Sequence, residues 1–167
     1  MAAQRVTVAA QLGLEIQLWR TINDGVMGGI SRGEIVTVDH GLRFQGLLSL
    51  QNNGGFASVR RPYGGSPISA GGVRLRVKGD VRRYQFRVRL DDCYDGISWR
   101  AGFDTNGSWQ TVNLSFGEFE PVYRGRLVRN AGALAPEKIR QIGFMLADKK
   151  EEPFQLDFNS IEFSMDE

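Results

Sequence analysis

Long stretches of this chain alternate apolar and polar residues with a period of two, and no other feature constrains the fold as much. A strand with one buried face has that period, whereas a helical face repeats every three to four residues. Val73, Leu75 and Val77 alternate with Arg74, Arg76 and Lys78. Tyr84, Phe86, Val88 and Leu90 alternate with Gln85, Arg87 and Arg89. Val112, Leu114 and Phe116 alternate with Thr111, Asn113 and Ser115, and Phe154, Leu156 and Phe158 with Gln155, Asp157 and Asn159. Beyond Asn159 the apolar phase slips by one to Ile161 and Phe163, which predicts a β-bulge near Asn159–Ser160. Leu42, Phe44, Leu48 and Leu50 share one phase around Gly46, and Ile142, Phe144 and Leu146 supply another short strand.

Turn signals separate these runs: NNGG at 52–55, YGGS at 63–66, GG at 71–72, GD at 79–80, DG at 95–96 and NG at 106–107. Many short strands at such spacing predict an all-β chain, an antiparallel β-sandwich or jelly roll with at most one or two short helices. The helical candidates are Pro136–Gln141, with Pro at a first helical position, and the stretch Val8–Trp19, which also reads as an extended edge. No repeat, linker or low-complexity tract divides the chain, so residues 1–167 read as a single domain with frayed ends at 1–10 and 164–167.

Composition then excludes several classes. With 41% hydrophobic and 10% aromatic residues, the chain is too apolar to be disordered. No apolar run approaches the ~20 residues of a membrane helix, so no membrane insertion is expected. The N-terminal stretch lacks an unbroken apolar core and carries Glu15, which reads against a secretory signal. The single cysteine, Cys93, rules out an internal disulfide and suits a reducing compartment, so a cytoplasmic location is expected. His40 is the only histidine, which leaves no Cys/His zinc cage and no credible Ser–His–Asp set. A net charge of +2 gives no ground for a nucleic-acid partner. Glu118 and Glu120 could be drawn as a hydrolytic pair, but sequence spacing says nothing about the separation such chemistry needs. Catalysis finds no support, and no cofactor is called for.

Three constellations remain. The string DGVMGGIS at 24–31 is a glycine-rich loop that matches no phosphate-binding pattern; it reads as a turn, or as a binding rim exposing Asp24 and Met27. In DDCYDG at 91–96, Asp91, Asp92 and Asp95 allow a weak calcium reading against a plain hairpin loop. Outward-facing Arg74, Arg76, Lys78, Arg87 and Arg89 would form one positive patch beside Trp109, Thr111 and Asn113 if their strands are neighbours. Such a patch suits a carboxylate- or phosphate-bearing partner, or else is a solvated sheet face.

Several strings, read in order, resemble the complex I intermediate-associated protein 30 family. They are WRTINDGVMGGIS at 19–31, FQGLLSLQNNGGFASVR at 44–60, WQTVNLSFGEFEP at 109–121, YRGR at 123–126, IGFMLADK at 142–149 and PFQLDFNSI at 153–161. The resemblance spans about residues 17–163. It implies a galactose-binding-like β-sandwich without catalytic residues, and a non-enzymatic assembly factor for the respiratory NADH:ubiquinone oxidoreductase that holds protein subunits or assembly intermediates. The family strings fall on Asp24, Met27, Asn53 and Arg60; Phe56 is expected in the core, and Asp24 and Arg60 are expected to tie the first two loops together. The expected partner-binding face is Arg74, Arg76, Arg87, Arg89, Trp109 and Asn113. The competing reading is a carbohydrate-binding module that docks a glycan on the same face, through Trp109 or Trp99 stacking and Arg87, Asp91 and Asn113 hydrogen bonds.

Overall fold

The computed structural model describes residues 5–7, 15–23, 29, 31–64, 71–93 and 95–164. The strands are β1 (Arg5–Thr7), β2 (Arg20–Asn23), β3 (Arg32–Val38), β4 (Gly41–Leu47), β5 (Ala57–Pro62), β6 (Gly72–Lys78) and β7 (Arg83–Arg89). They continue with β8 (Ser98–Asp104), β9 (Trp109–Ser115), β10 (Glu120–Tyr123), β11 (Arg126–Leu127), β12 (Gln141–Leu146) and β13 (Pro153–Ser164). Every pairing is antiparallel. The first sheet runs β3-β4-β13-β6-β9 with β1 also on β13; the second runs β11-β10-β8-β7-β12-β5-β2. The chain is therefore a β-sandwich, as the alternation predicts.

The alternation works by sorting side chains. Val73, Leu75 and Val77 of β6, Tyr84, Phe86 and Val88 of β7, and Val112 and Leu114 of β9 are all buried, while their polar neighbours point outward. The two inner faces meet through rings: Phe144 of β12 lies 4.7 Å from Phe158 of β13, and Trp19 lies 5.2 Å from Phe158; within the second sheet Phe86 lies 5.4 Å from Phe144. Each such aromatic contributes roughly 2–3 kcal/mol by burial. Along β13 the register against β6 shifts between Phe158 and Ser160, which is the predicted bulge. It lets Phe158 and Ile161 face the same core across an extra residue.

Helical structure among the described residues amounts to one α-helical position, Glu15, and single 3-10 turns at Ile16–Leu18, Gln51–Asn53, Phe116–Glu118 and Pro136–Lys138. The candidate at 136–141 is thus one turn with Pro at its start, ending where Gln141 enters β12. Of the stretch 8–19, residues 8–14 lie outside the described residues and the remainder holds one short turn. Leu50 leaves the phase of Leu42, Phe44 and Leu48: β4 ends at Leu47, and Leu50 is exposed beside the following turn. Phe56 is only half-buried, outside the core cluster.

Two ties hold the loops between sheets. The Ser31 hydroxyl donates to the Ser49 carbonyl at 3.0 Å and accepts the Ser49 N–H at 2.8 Å, joining the end of the first family string to the interior of the second. Arg82, buried between β6 and β7, donates from Nε and Nη2 to both Asp148 oxygens at 2.8 and 2.6 Å, and onward to the carbonyls of Glu152 and Lys150. In the same crossover, Asp80 accepts from the Tyr84 hydroxyl at 3.0 Å and from the Gln155 N–H at 2.8 Å. Consecutive strands β6 and β7 thereby part company: one enters the first sheet, the other the second.

Candidate functional site

That parting corrects the single positive patch. Arg74, Arg76, Trp109 and Asn113 lie on the outer face of the first sheet, where β6 pairs β9 and Arg74 stands opposite Asn113, Arg76 opposite Thr111 and Lys78 opposite Trp109. Arg87 and Arg89 lie on β7, in the second sheet. The hydrophobic core separates the two groups. The glycan constellation is divided in the same way, because Trp99 is buried in the core, Trp109 is on the first sheet and Arg87 is on the second.

The two outer faces differ in how their charge is balanced. On the first sheet, Arg43 grips Asp157 with two bonds of 2.7 and 3.1 Å, and this pair holds the Arg43 guanidinium above its ordinary value. Arg74 donates to Asn113 Oδ1 at 3.0 Å, Arg76 to Thr111 Oγ1 at 3.2 Å, and Gln45 to Glu34 at 2.9 Å. Glu162 stands opposite Arg74 and Asp157 opposite Lys78. This face carries its own counter-charges.

The second sheet concentrates arginine. Reading the register across six strands, Arg20 of β2 stands opposite Arg60 of β5, Arg60 opposite Gly143 of β12, and Gly143 opposite Arg87 of β7. Arg87 then stands opposite Arg100 of β8, and Arg100 opposite Glu120 of β10. Directly opposed residues share a face, so four arginines lie in one row that ends in a single carboxylate. The Arg100–Glu120 contact is a loose 3.7 Å. The next row is Ile22, Ser58, Met145, Gln85 and Gly102.

Arg87 sits at the centre of this arrangement, half-buried. Its Nε and Nη2 donate to Gln85 Oε1 at 3.0 and 2.8 Å, and its Nη1 to Ser98 Oγ at 2.8 Å, all neutral oxygens. Burial, followed by the charges of Arg100, Arg89 and Arg60, pushes its guanidinium down to about 10. Beside it runs a polar groove of about 420 Å³ lined by Arg83, Gln85, Arg100, Gly102, Glu118 and Glu120. Glu118 is occupied by the turn it begins, accepting the Ser115 N–H at 2.7 Å in a capping box. Arg83 lies across Gly102 and pairs with Asp104 at 3.0 Å.

The acidic loop does not converge on a cation. Asp92 pairs with Arg140 at 3.0 Å, Asp95 with Arg124 at 2.7 Å, and Asp91 accepts the Cys93 N–H at 3.0 Å. The Arg124 hydrogen bond outweighs the opposing effect of desolvation and holds the Asp95 carboxyl below its ordinary value. Among the described residues no group of three or more acidic, His or Cys side chains could hold a metal, which lends the calcium reading no support. Asp24 and Met27, and with them the expected Asp24–Arg60 tie, lie outside the described residues; Asn53 ends the 3-10 turn Gln51–Asn53. Sequence reasoning missed Arg83, Gln85, Arg100 and Gly143 as parts of one face. Ser98, Arg100, Gly102 and Asp104 do alternate with Trp99, Ala101 and Phe103, but the small residues weaken that signal.

Comparison with known proteins adds three findings. Residues 9–158 match the family model described as complex I intermediate-associated protein 30. Two curated relatives carry the name complex I intermediate-associated protein 30, mitochondrial: one from Neurospora crassa, 29% identical over 86 residues, and one from Mus musculus, 34% identical over 92 residues. The matched stretches cover 50% and 52% of this chain but only 31% and 28% of those proteins, and their mitochondrial names contrast with the cytoplasmic expectation. Among solved structures, a family 11 carbohydrate-binding module from Clostridium thermocellum, in complex with a beta-1,3-1,4-mixed-linked tetrasaccharide, superposes with a TM-score of 0.68. It is 17% identical, with 98% of this chain and 96% of that one covered, a likeness of fold. No helix among the described residues is long and apolar enough to cross a membrane.

Proposed function

This chain belongs to the complex I intermediate-associated protein 30 family, and from that premise we propose that it is a non-enzymatic, protein-binding assembly factor. Its partners are subunits or intermediates of a membrane-associated electron-transport complex of the complex I type. The family match over residues 9–158 carries the reading. It acts as one domain at the periphery of that membrane complex, shielding a surface of an incomplete assembly until a later subunit competes for it. The docking face is the outer face of the second sheet, because on the first sheet Asp157 and Glu162 stand directly opposite Arg43 and Arg74 as counter-charges. A face rich in arginine steers an acidic partner and excludes basic ones.

Glycan docking is the second reading, favoured by the superposition on a carbohydrate-binding module. The arrangement of aromatic residues argues against it, since the rows of the second sheet's outer face present no ring for a sugar to stack on.

The test is to tag the protein, express it in its own organism, and identify by mass spectrometry what co-purifies in mild detergent. Subunits of one respiratory complex should be recovered. A preparation without protein partners, together with retention on a glycan array, would replace this reading with the second.

A further inference from the structure

Resting on the protein-docking reading above, we propose that Arg87, flanked by Arg60 and Arg100, forms a subsite for the carboxylate of an Asp or Glu side chain in an acidic segment of the partner. The argument begins with desolvation. A charged guanidinium in a half-buried site needs counter-charge, and arginine is chosen where its planar fork meets a carboxylate with paired hydrogen bonds. Arg87 is supplied instead with neutral oxygens, those of Gln85 and Ser98. The charges that act on it come from Arg100, Arg89 and Arg60. Among the described residues its hydrogen bonds are to no acid, so an incoming anion meets a cation already stripped of much of its water.

The register also matters: between Arg60 and Arg87 the row holds Gly143, which contributes no side chain of its own. A Cβ there would lie 2.2 Å from the Val59 carbonyl, so the position admits only glycine without movement of β5 or β12. Gln85, accepting two bonds from Arg87, fixes the fork and is a positioning residue. A single-stranded nucleic acid is disfavoured because the rows lack the aromatic platforms on which bases stack.

The test uses the full chain and a hexaglutamate peptide at low ionic strength, followed by amide chemical shifts. Saturable shifts on β5, β7 and β12 are expected, with affinity at least roughly tenfold weaker in Arg87→Met while the melting temperature is higher. Arg100→Gln, at the facing position on β8, should weaken binding as well. Arg74→Gln, on the opposite face, should not. The subsite is wrong if the wild-type protein shows no saturable shift, or if folded Arg87→Met binds equally well. It is also wrong if a mixed-linkage glucan tetrasaccharide or a thymidine dodecamer shifts these amides in preference to the peptide. If subunits still co-purify although hexaglutamate does not bind, the subsite falls and the assembly role stands; peptide binding without any co-purifying subunit has the reverse meaning.

Discussion

Two arginines with opposite environments set the residue-scale behaviour. Arg82 is buried with a full set of acceptors, whereas Arg87 is half-buried among other cations. Lowering Arg87 from 12.5 to about 10 corresponds to roughly 3 kcal/mol against its charged form in the folded state. The folded chain therefore holds that proton less tightly than the unfolded chain, so the penalty is complete at neutral pH and is relieved only as pH rises past about 10. Arg87→Met, which keeps the aliphatic stem, should stabilise the protein by about 1–3 kcal/mol in urea melts at pH 7. Unchanged or lower stability would mean that the site already holds a counter-charge. Asp148 has the opposite sign. Burial alone would raise its carboxyl, but the Arg82 hydrogen bonds and charge outweigh that and leave it below its ordinary value. Its contribution is complete above the unfolded value near 3.8 and is lost as pH falls through the lower folded value. Asp148→Ala should cost about 3 kcal/mol at pH 7 by leaving Arg82 buried and unpaired, and its deficit should shrink in melts taken below pH 3.8.

At the scale of elements, the close approach of β12 to β5 depends on Gly143. Glycine within a strand is normally a weakness, yet here an added methyl would meet backbone rather than a movable side chain. Gly143→Ala should therefore destabilise by about 2 kcal/mol or more, read from chemical denaturation, and broaden amide signals on both strands. The crossover from β6 to β7 carries a different strain. Val81 is 71% exposed and sits at φ 74°, a left-handed conformation that a β-branched residue adopts at a cost. Val81→Asn should raise stability by about 1 kcal/mol, with no change in the core; a loss would show that the exposed valine packs against something in solution.

For the molecule as a whole, what matters is that its two polar faces are not equivalent. On the first sheet Arg74 stands opposite Glu162 and Arg43 grips Asp157, whereas Arg87 and Arg100 face each other across β7–β8. Paired substitution of Arg87 and Arg100 by glutamine should reduce recovery of protein partners about tenfold or more, with folding retained by circular dichroism. The same change at Arg74 and Arg76 should leave recovery unaltered, and equal losses from both pairs would mean that attraction is diffuse rather than borne by one face.

Much of this is legible in the sequence alone. Alternation in residues 73–78, 84–90, 111–116 and 154–163 specifies which side chains face inward, because a strand turns successive side chains to opposite faces. The slip at Asn159 announces the bulge for the same reason. The family strings also lie in the sequence itself, spread along most of its length. What alternation cannot encode is which sheet a strand joins. Arg76 and Arg87 are eleven positions apart on consecutive strands, yet the Gly79–Arg82 crossover puts the core between them. Arg82 meets Asp148 across 66 positions, and Arg20, Arg60, Arg87 and Arg100 meet only when β2, β5, β12, β7 and β8 are laid side by side. Local sequence determined inside from outside by periodicity; tertiary structure decided which outward residues share a surface, because that depends on the order in which distant strands pair.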